Sequence, residues 1–191
     1  MSAGLVGILL AAGASTRFRA DKLLHPLPAG LPIAVASLRN LRAALPRVIA
    51  VVRPGTARLE QLLRADGAEI AVCERAADGM GASLGQGIRA APDADAWIIA
   101  LADMPFIRPQ TIRLVAERLA AGAALAAPRW RGERGHPVGF AARFRGELAA
   151  LEGDEGARAL LRAHGAALEL IDCDDPGVVR DVDTLADLGD R

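Results

Sequence analysis

LLAAGASTRFRADKLL, residues 9–24, is the stretch that decides how this chain is read. It closes a continuous apolar run, GLVGILLAA (4–12), that stops at Gly13 and is followed by Ser15, Arg17, Arg19 and Lys22. Unbroken rather than alternating apolar residues are what a strand buried on both faces of a parallel sheet requires. Open α/β sheets bind their ligands beyond the carboxyl ends of such strands. Glycine there lets a backbone approach a ligand closely. Ser15 can donate to a phosphate oxygen, Arg17 offers a planar fork and Lys22 a mobile point charge. The stretch therefore reads as a first strand and a phosphate-holding loop. A solvated turn with scattered cations has the same spacing, and spacing alone does not separate the two.

Charge sharpens the question. The 191 residues carry 23 basic and 23 acidic side chains, so the chain lacks the broad positive field that selects nucleic acid or an acidic membrane surface. An anionic ligand must be held by a local cluster. Hydrophobic residues make up 52%, enough for a real core, while aromatics are 3% with no tyrosine, too few for a platform that stacks single-stranded bases. Cys73 and Cys173 are distant and neither belongs to a Cys-x-x-Cys pair, so reduced thiols in a cytoplasmic protein are expected. The first residues mimic a short secretory segment but lack the preceding Lys or Arg. No apolar run reaches the ~20 residues that span a bilayer.

Further along, strand-like and helix-like segments alternate. Strands are expected at 47–55, 68–73, 96–105, 123–128, 136–140 and 167–172. Helices are expected from the stripe Ala34, Leu38, Leu41 and Leu45, at 56–66, at 81–91 (weakened by Gly85 and Gly87), from the stripe Ile112, Val115, Ala116 and Leu119, at 142–151 and at 156–164. Pro109 suits a helix start. The pattern predicts a single-domain, Rossmann-like three-layer α/β fold over residues 1–191, with a mostly parallel sheet and one antiparallel strand near 129–140.

Familiar phosphate cradles are absent: there is no G-x-G-x-x-G and no G-x-x-x-x-G-K-[ST]. The order A-A-G-x-S-x-R-x-x-x-x-K resembles instead the nucleotidyltransferases that act on molybdenum cofactor, within the nucleotide-diphospho-sugar transferase fold. GMGASLGQG (79–87), LADMPFI (101–107), RGHPVGF (134–140), GDEGARALL (153–161) and DVDTLADL (181–188) follow in that family's order. LAAG, with Ala12, is similar to the cytidylyltransferase branch, where the guanylyltransferases more often carry a second glycine. The resemblance implies transfer of CMP from CTP to the phosphate of molybdopterin, with release of pyrophosphate and dependence on Mg2+. It places Ala11, Ala12, Gly13, Ser15, Arg17, Lys22, Ser83 and Asp103 on the nucleotide, with Arg17, Lys22 and Asp103 catalytic. Asp103 and Asp183 would hold the metal, with Asp181 as a fallback, and His136 and Pro137 would line the acceptor side. Another nucleotide such as GTP, another phosphorylated acceptor, and a non-catalytic cofactor carrier serving a molybdenum-dependent oxidoreductase remain as competing readings.

The chemistry suits these residue types. A phosphate nucleophile is already anionic, so no strong base is needed. The difficulty is assembling anions and stabilising spread charge. Asp103 follows the apolar strand WIIALA, where a carboxylate emerges at the ligand-binding edge, and no buried partner is expected for it. Asp183 competes with a role as N-cap of the last helix. Two departures stand out: Arg19 where the family usually has glycine, and Gly81 where serine is common. His25 and His164 carry no functional reading. One of Arg129, Arg131 and Arg134, around His136, could receive the acceptor phosphate.

Overall fold

The computed structural model describes residues 4–13 and 21–188. Ser15, Arg17 and Arg19 therefore lie outside the described residues. The apolar run becomes β1 (Leu5–Leu10), and the chain continues through α1 (Ile33–Arg42), β2 (Arg47–Val52), α2 (Ala57–Ala65), β3 (Glu69–Val72), α3 (Met80–Arg89), β4 (Ala96–Leu101) and α4 (Pro109–Ala120). Then come β5 (Leu125–Trp130), β6 (Glu133–Arg134), β7 (Val138–Ala141), α5 (Arg145–Ala149), α6 (Arg158–Ala163) and β8 (Leu168–Asp172).

The sheet runs β3-β2-β1-β4-β7-β5, with β8 beside β5 and the two-residue β6 hairpinned onto the end of β5. β1 to β4 are mutually parallel, β7 is antiparallel to both of its neighbours, and β8 is parallel to β5. The expected antiparallel strand is thus β7. The strand expected at 123–128 runs on to Trp130, because the reversal falls at Arg131 and Gly132, both with positive φ. Two expected helices are shorter than their sequence segments: residues 142–144 form a 3-10 turn before α5, and α6 starts only at Arg158.

Alternation along β1 explains the layers. Val6 and Ile8 face one side of the sheet with Leu84 and Ile88 of α3, Leu148 of α5 and Leu160 of α6. Leu9 faces the other with Leu38 and Leu41 of α1, Leu59 and Leu63 of α2, and Ile112 and Val115 of α4. Both faces are covered, which is why the strand carries no polar residue. The glycines of α3 cost helix propensity, roughly 1 kcal/mol each, but they allow close packing. A Cβ at Gly87 would stand 2.6 Å from Cγ2 of Ile8 and 3.0 Å from Cγ2 of Val51. Cys73 is buried, Cys173 half-buried, and both are free thiols. No helix among the described residues is long and apolar enough to cross a membrane.

Candidate functional site

The site is assembled at the carboxyl edge of β4. After Leu101 the chain turns sharply, and α1 holds that turn from beneath. The buried Ser37 hydroxyl donates to the Ala102 carbonyl at 2.9 Å, and the Asn40 amide donates to the Pro105 carbonyl at 2.8 Å. Asp103 thereby projects from a backbone fixed on both sides. Its own carbonyl accepts from the Val182 N–H at 2.9 Å, which lays the C-terminal segment alongside the turn and brings Asp183 next to Asp103. That segment is stapled further back by buried Asp175. Its carboxylate accepts from the Arg108 N–H at 2.9 Å, the Thr111 hydroxyl at 2.7 Å and the Gly177 N–H at 3.0 Å. Sequence reasoning missed Ser37, Asn40 and Asp175. Only their small polar side chains within otherwise apolar or loop stretches could have marked them.

Lys22 closes the group. Its Nζ donates to Oδ2 of Asp103 at 2.8 Å and to Oδ1 of Asp183 at 3.1 Å. Burial opposes its charge, but the two carboxylates outweigh that, and the ammonium is held above the ordinary lysine value. The expectation that Asp103 has no buried partner is therefore corrected: the partner is Lys22, 81 residues away in sequence. At the last turn Asp187 accepts from the Asp183 and Thr184 N–H groups at 3.1 and 2.7 Å, and the Asp183 carboxylate accepts from Lys22. Asp181 has its carboxyl pushed up by burial and by the neighbouring charge of Asp183.

Beside this cluster lies a cavity of about 590 Å³, within the range of small-molecule sites. Ala12, Gly13, Lys22, Ser83 and Asp103 line it, joined by Arg53 after β2, Glu74 after β3, and Asp154. Ala11 does not; it is buried in the core, and its N–H extends the β1–β2 pairing to the Val51 carbonyl. Gly81 lies against the loop that carries Asp154, donating its N–H to the Gly153 carbonyl at 2.7 Å, and this closeness explains the glycine.

His136 and Pro137 sit just before β7, outside the cavity wall. The Nδ1 of His136 is buried and has no hydrogen-bond partner among the described residues. Burial, reinforced by the charges of Arg134 and Arg158, pushes its pKa down to about 4, so the ring is neutral near pH 7. Of the flanking cations, Arg129 is engaged by Asp172 at 2.7 and 2.9 Å, and Arg131 lies over the Trp130 ring at 4.6 Å. His164 contacts Glu147 at 3.1 Å and stacks edge-on with Phe144.

The donor set suits a hard divalent cation. Asp103 and Asp183 present carboxylate oxygens to a single cationic atom, and Asp181 shows negative charge crowded nearby. Among the described residues no three His, Cys, Asp or Glu side chains converge on a metal position. A hard ion such as magnesium takes one or two carboxylates and completes its shell with water and phosphate oxygen.

Residues 7–168 match the MobA-like NTP transferase domain. The chain belongs to this family. It is 33% identical to purine catabolism protein PucB of Bacillus subtilis (strain 168), over 94% of this chain and 92% of that one. It is 32% identical to nicotine blue oxidoreductase of Paenarthrobacter nicotinovorans, over 95% of this chain and 93% of that one. The crystal structure of Rv0371c from Mycobacterium tuberculosis H37Rv superposes with a TM-score of 0.86 at 28% identity, covering 98% of this chain and 96% of that one. A second crystal structure of Rv0371c is a complex with manganese. This MobA-like chain is accordingly a nucleotidyltransferase with a nucleotide-diphospho-sugar transferase fold.

Proposed function

We propose that the protein transfers CMP from CTP to the terminal phosphate of molybdopterin cofactor, forming the cytosine dinucleotide and releasing pyrophosphate, with Mg2+ as the metal. One observation carries the reading: two carboxylates from distant segments meet around one cation position at the wall of a nucleotide-sized cavity. A phosphate oxygen of the acceptor attacks the α-phosphorus of CTP, the bond to the bridging oxygen breaks, and pyrophosphate leaves with that electron pair. Lys22, with Arg17 and Ser15 from the first loop, binds the triphosphate and offsets its charge. Asp103 and Asp183 would hold the metal, which when bound neutralises charge collecting on the phosphate oxygens. Neutral His136 and Pro137 face the acceptor. The manganese complex of Rv0371c is consistent with divalent-metal use.

Ala12 supports the choice of base. It stands in the cavity wall at the end of β1, where its methyl leaves less room than glycine and suits a pyrimidine. The test is pyrophosphate release by purified enzyme with molybdenum cofactor, magnesium and each of the four nucleoside triphosphates. CTP should lead in kcat/KM. Equal rates with GTP would remove the cytidine assignment, and no release with any nucleotide would remove the acceptor.

A further inference from the structure

Lys22 occupies the point that a metal on Asp103 and Asp183 would need. Its ammonium lies 2.8 and 3.1 Å from their oxygens, and its side chain is only 10% exposed. A hard ion such as magnesium binds carboxylate oxygen at about 2.1 Å, so ion and ammonium cannot share these oxygens without close contact between like charges. If an ion entered with no other anion present, Lys22 would be left as a buried charge with its partners taken, a costly arrangement. The cavity gives it another destination. Lys22 also lines the cavity, as Gly13 does, and its four-carbon stem lets the charge swing. Triphosphate in that cavity supplies the missing anion.

We infer that Lys22 is a built-in counter-ion that bars the metal from Asp103 and Asp183 until the nucleotide's phosphates draw it away. Nucleotide and metal then bind with positive coupling, and the nucleotide leads. The inference rests on the reading of Asp103 and Asp183 as the metal pair. Lysine stays charged throughout; only its partner changes. Coupling between two ligands is reciprocal. Removing the ammonium should free the carboxylates for metal, and removing a carboxylate should free the ammonium for phosphate.

Manganese binding to the whole chain, followed by electron paramagnetic resonance without nucleotide, tests the first half. Lys22→Met should bind Mn2+ at least about tenfold more tightly than wild type, within the usual span of such couplings. Lys22→Arg, which keeps the charge, should bind as weakly as wild type. Equal affinity in wild type and Lys22→Met overturns the inference. A Lys22→Met/Asp103→Asn double variant should lose the gain; if it keeps it, the ion sits elsewhere and the metal assignment itself fails. The second half leaves Lys22 in place. Calorimetric titration with CTP in excess EDTA should show Asp103→Asn binding nucleotide several-fold more tightly than wild type. Unchanged or weaker binding overturns the inference, while pyrophosphate release by wild type reports separately on the transfer reaction.

Discussion

Gly81 links the fold to the cavity, and adding a side chain there should damage both. A Cβ at this position would stand 2.5 Å from the Glu152 carbonyl oxygen, 2.7 Å from its carbon and 2.9 Å from the Gly153 oxygen. All three are backbone atoms, so no flexible side chain can move aside. The loop must shift, or α3 must tilt away from it. Overpacking of this kind costs about 1–3 kcal/mol. In a chain of this size each kcal/mol moves Tm by roughly 2–4 °C, so Gly81→Ser should lower Tm by about 2–12 °C. The displaced loop carries Asp154, which shares the cavity wall with Ser83 of α3. The KM for nucleotide should therefore rise more than kcat falls. Scanning calorimetry and steady-state pyrophosphate release measure the two effects. Gly81→Ala adds the same Cβ without a hydroxyl and should lose as much stability. Gly13→Ala is the contrast: among the described residues nothing lies within 4 Å of its added Cβ, and Tm should hold. If Gly81→Ser and Gly81→Ala both melt with wild type, the packing argument is wrong. If only serine is harmful, the hydroxyl rather than the contact is responsible.

Three further outcomes follow from the site. Asp103→Asn keeps the shape of the side chain but removes its charge; losing about 4 kcal/mol of charge stabilisation should slow turnover on the order of 10³-fold, while Lys22 keeps Asp183 and the chain stays folded. Near-normal turnover at low magnesium would refute this. Ser37→Ala removes the hydroxyl under the Asp103 turn, which should cost about 1 kcal/mol and raise the magnesium requirement; an unchanged magnesium dependence would show that the turn is held without it. His136 has a folded pKa of about 4 against roughly 6.5 unfolded, so the unfolded chain takes up the proton first as pH falls. Its contribution is lost between pH 6.5 and 4, by about 3 kcal/mol in all, and is flat below. Urea midpoints for wild type and His136→Gln should therefore converge over that interval, and parallel curves would refute the claim.

Much of the fold was legible because apolar runs and stripes report directly on burial. β1, β2 and β4 are uninterrupted runs, and the stripes containing Leu38 and Ile112 became α1 and α4. Asp103 was legible for a related reason: a carboxylate directly after such a run marks the sheet edge. What stayed hidden depends on contacts that no local pattern encodes. Ser37 and Asn40 lie within α1 and read as ordinary polar positions, yet they fix a turn 65 residues away. Lys22 read as a phosphate cation, and nothing nearby in sequence shows that it joins residues 81 and 161 positions further on. The α3 glycines read as weak helix because propensity counts the cost of glycine and not the approach it permits.

The sheet itself accounts for where two substrates can meet. β4 has parallel β1 on one side and antiparallel β7 on the other. On the β1 side every strand ends at the same edge, and the loops after β1, β2 and β3 enclose the cavity. On the other side the polarity is reversed, so the edge meets the beginning of β7 rather than its end. Val138 pairs with Ile99, and His136 and Pro137, immediately before it, come level with the turn that carries Asp103. Beyond them β5 is again parallel to β4 and delivers Arg129 and Trp130 to that edge. Asp103 thus stands at the first boundary, counting across the sheet from β3, where strand polarity changes. In the proposed reaction the nucleotide fills the β1 side and the acceptor approaches past His136. The two anions then converge on the position shared by Asp103, Asp183 and Lys22, the place where the chain already balances positive charge against negative.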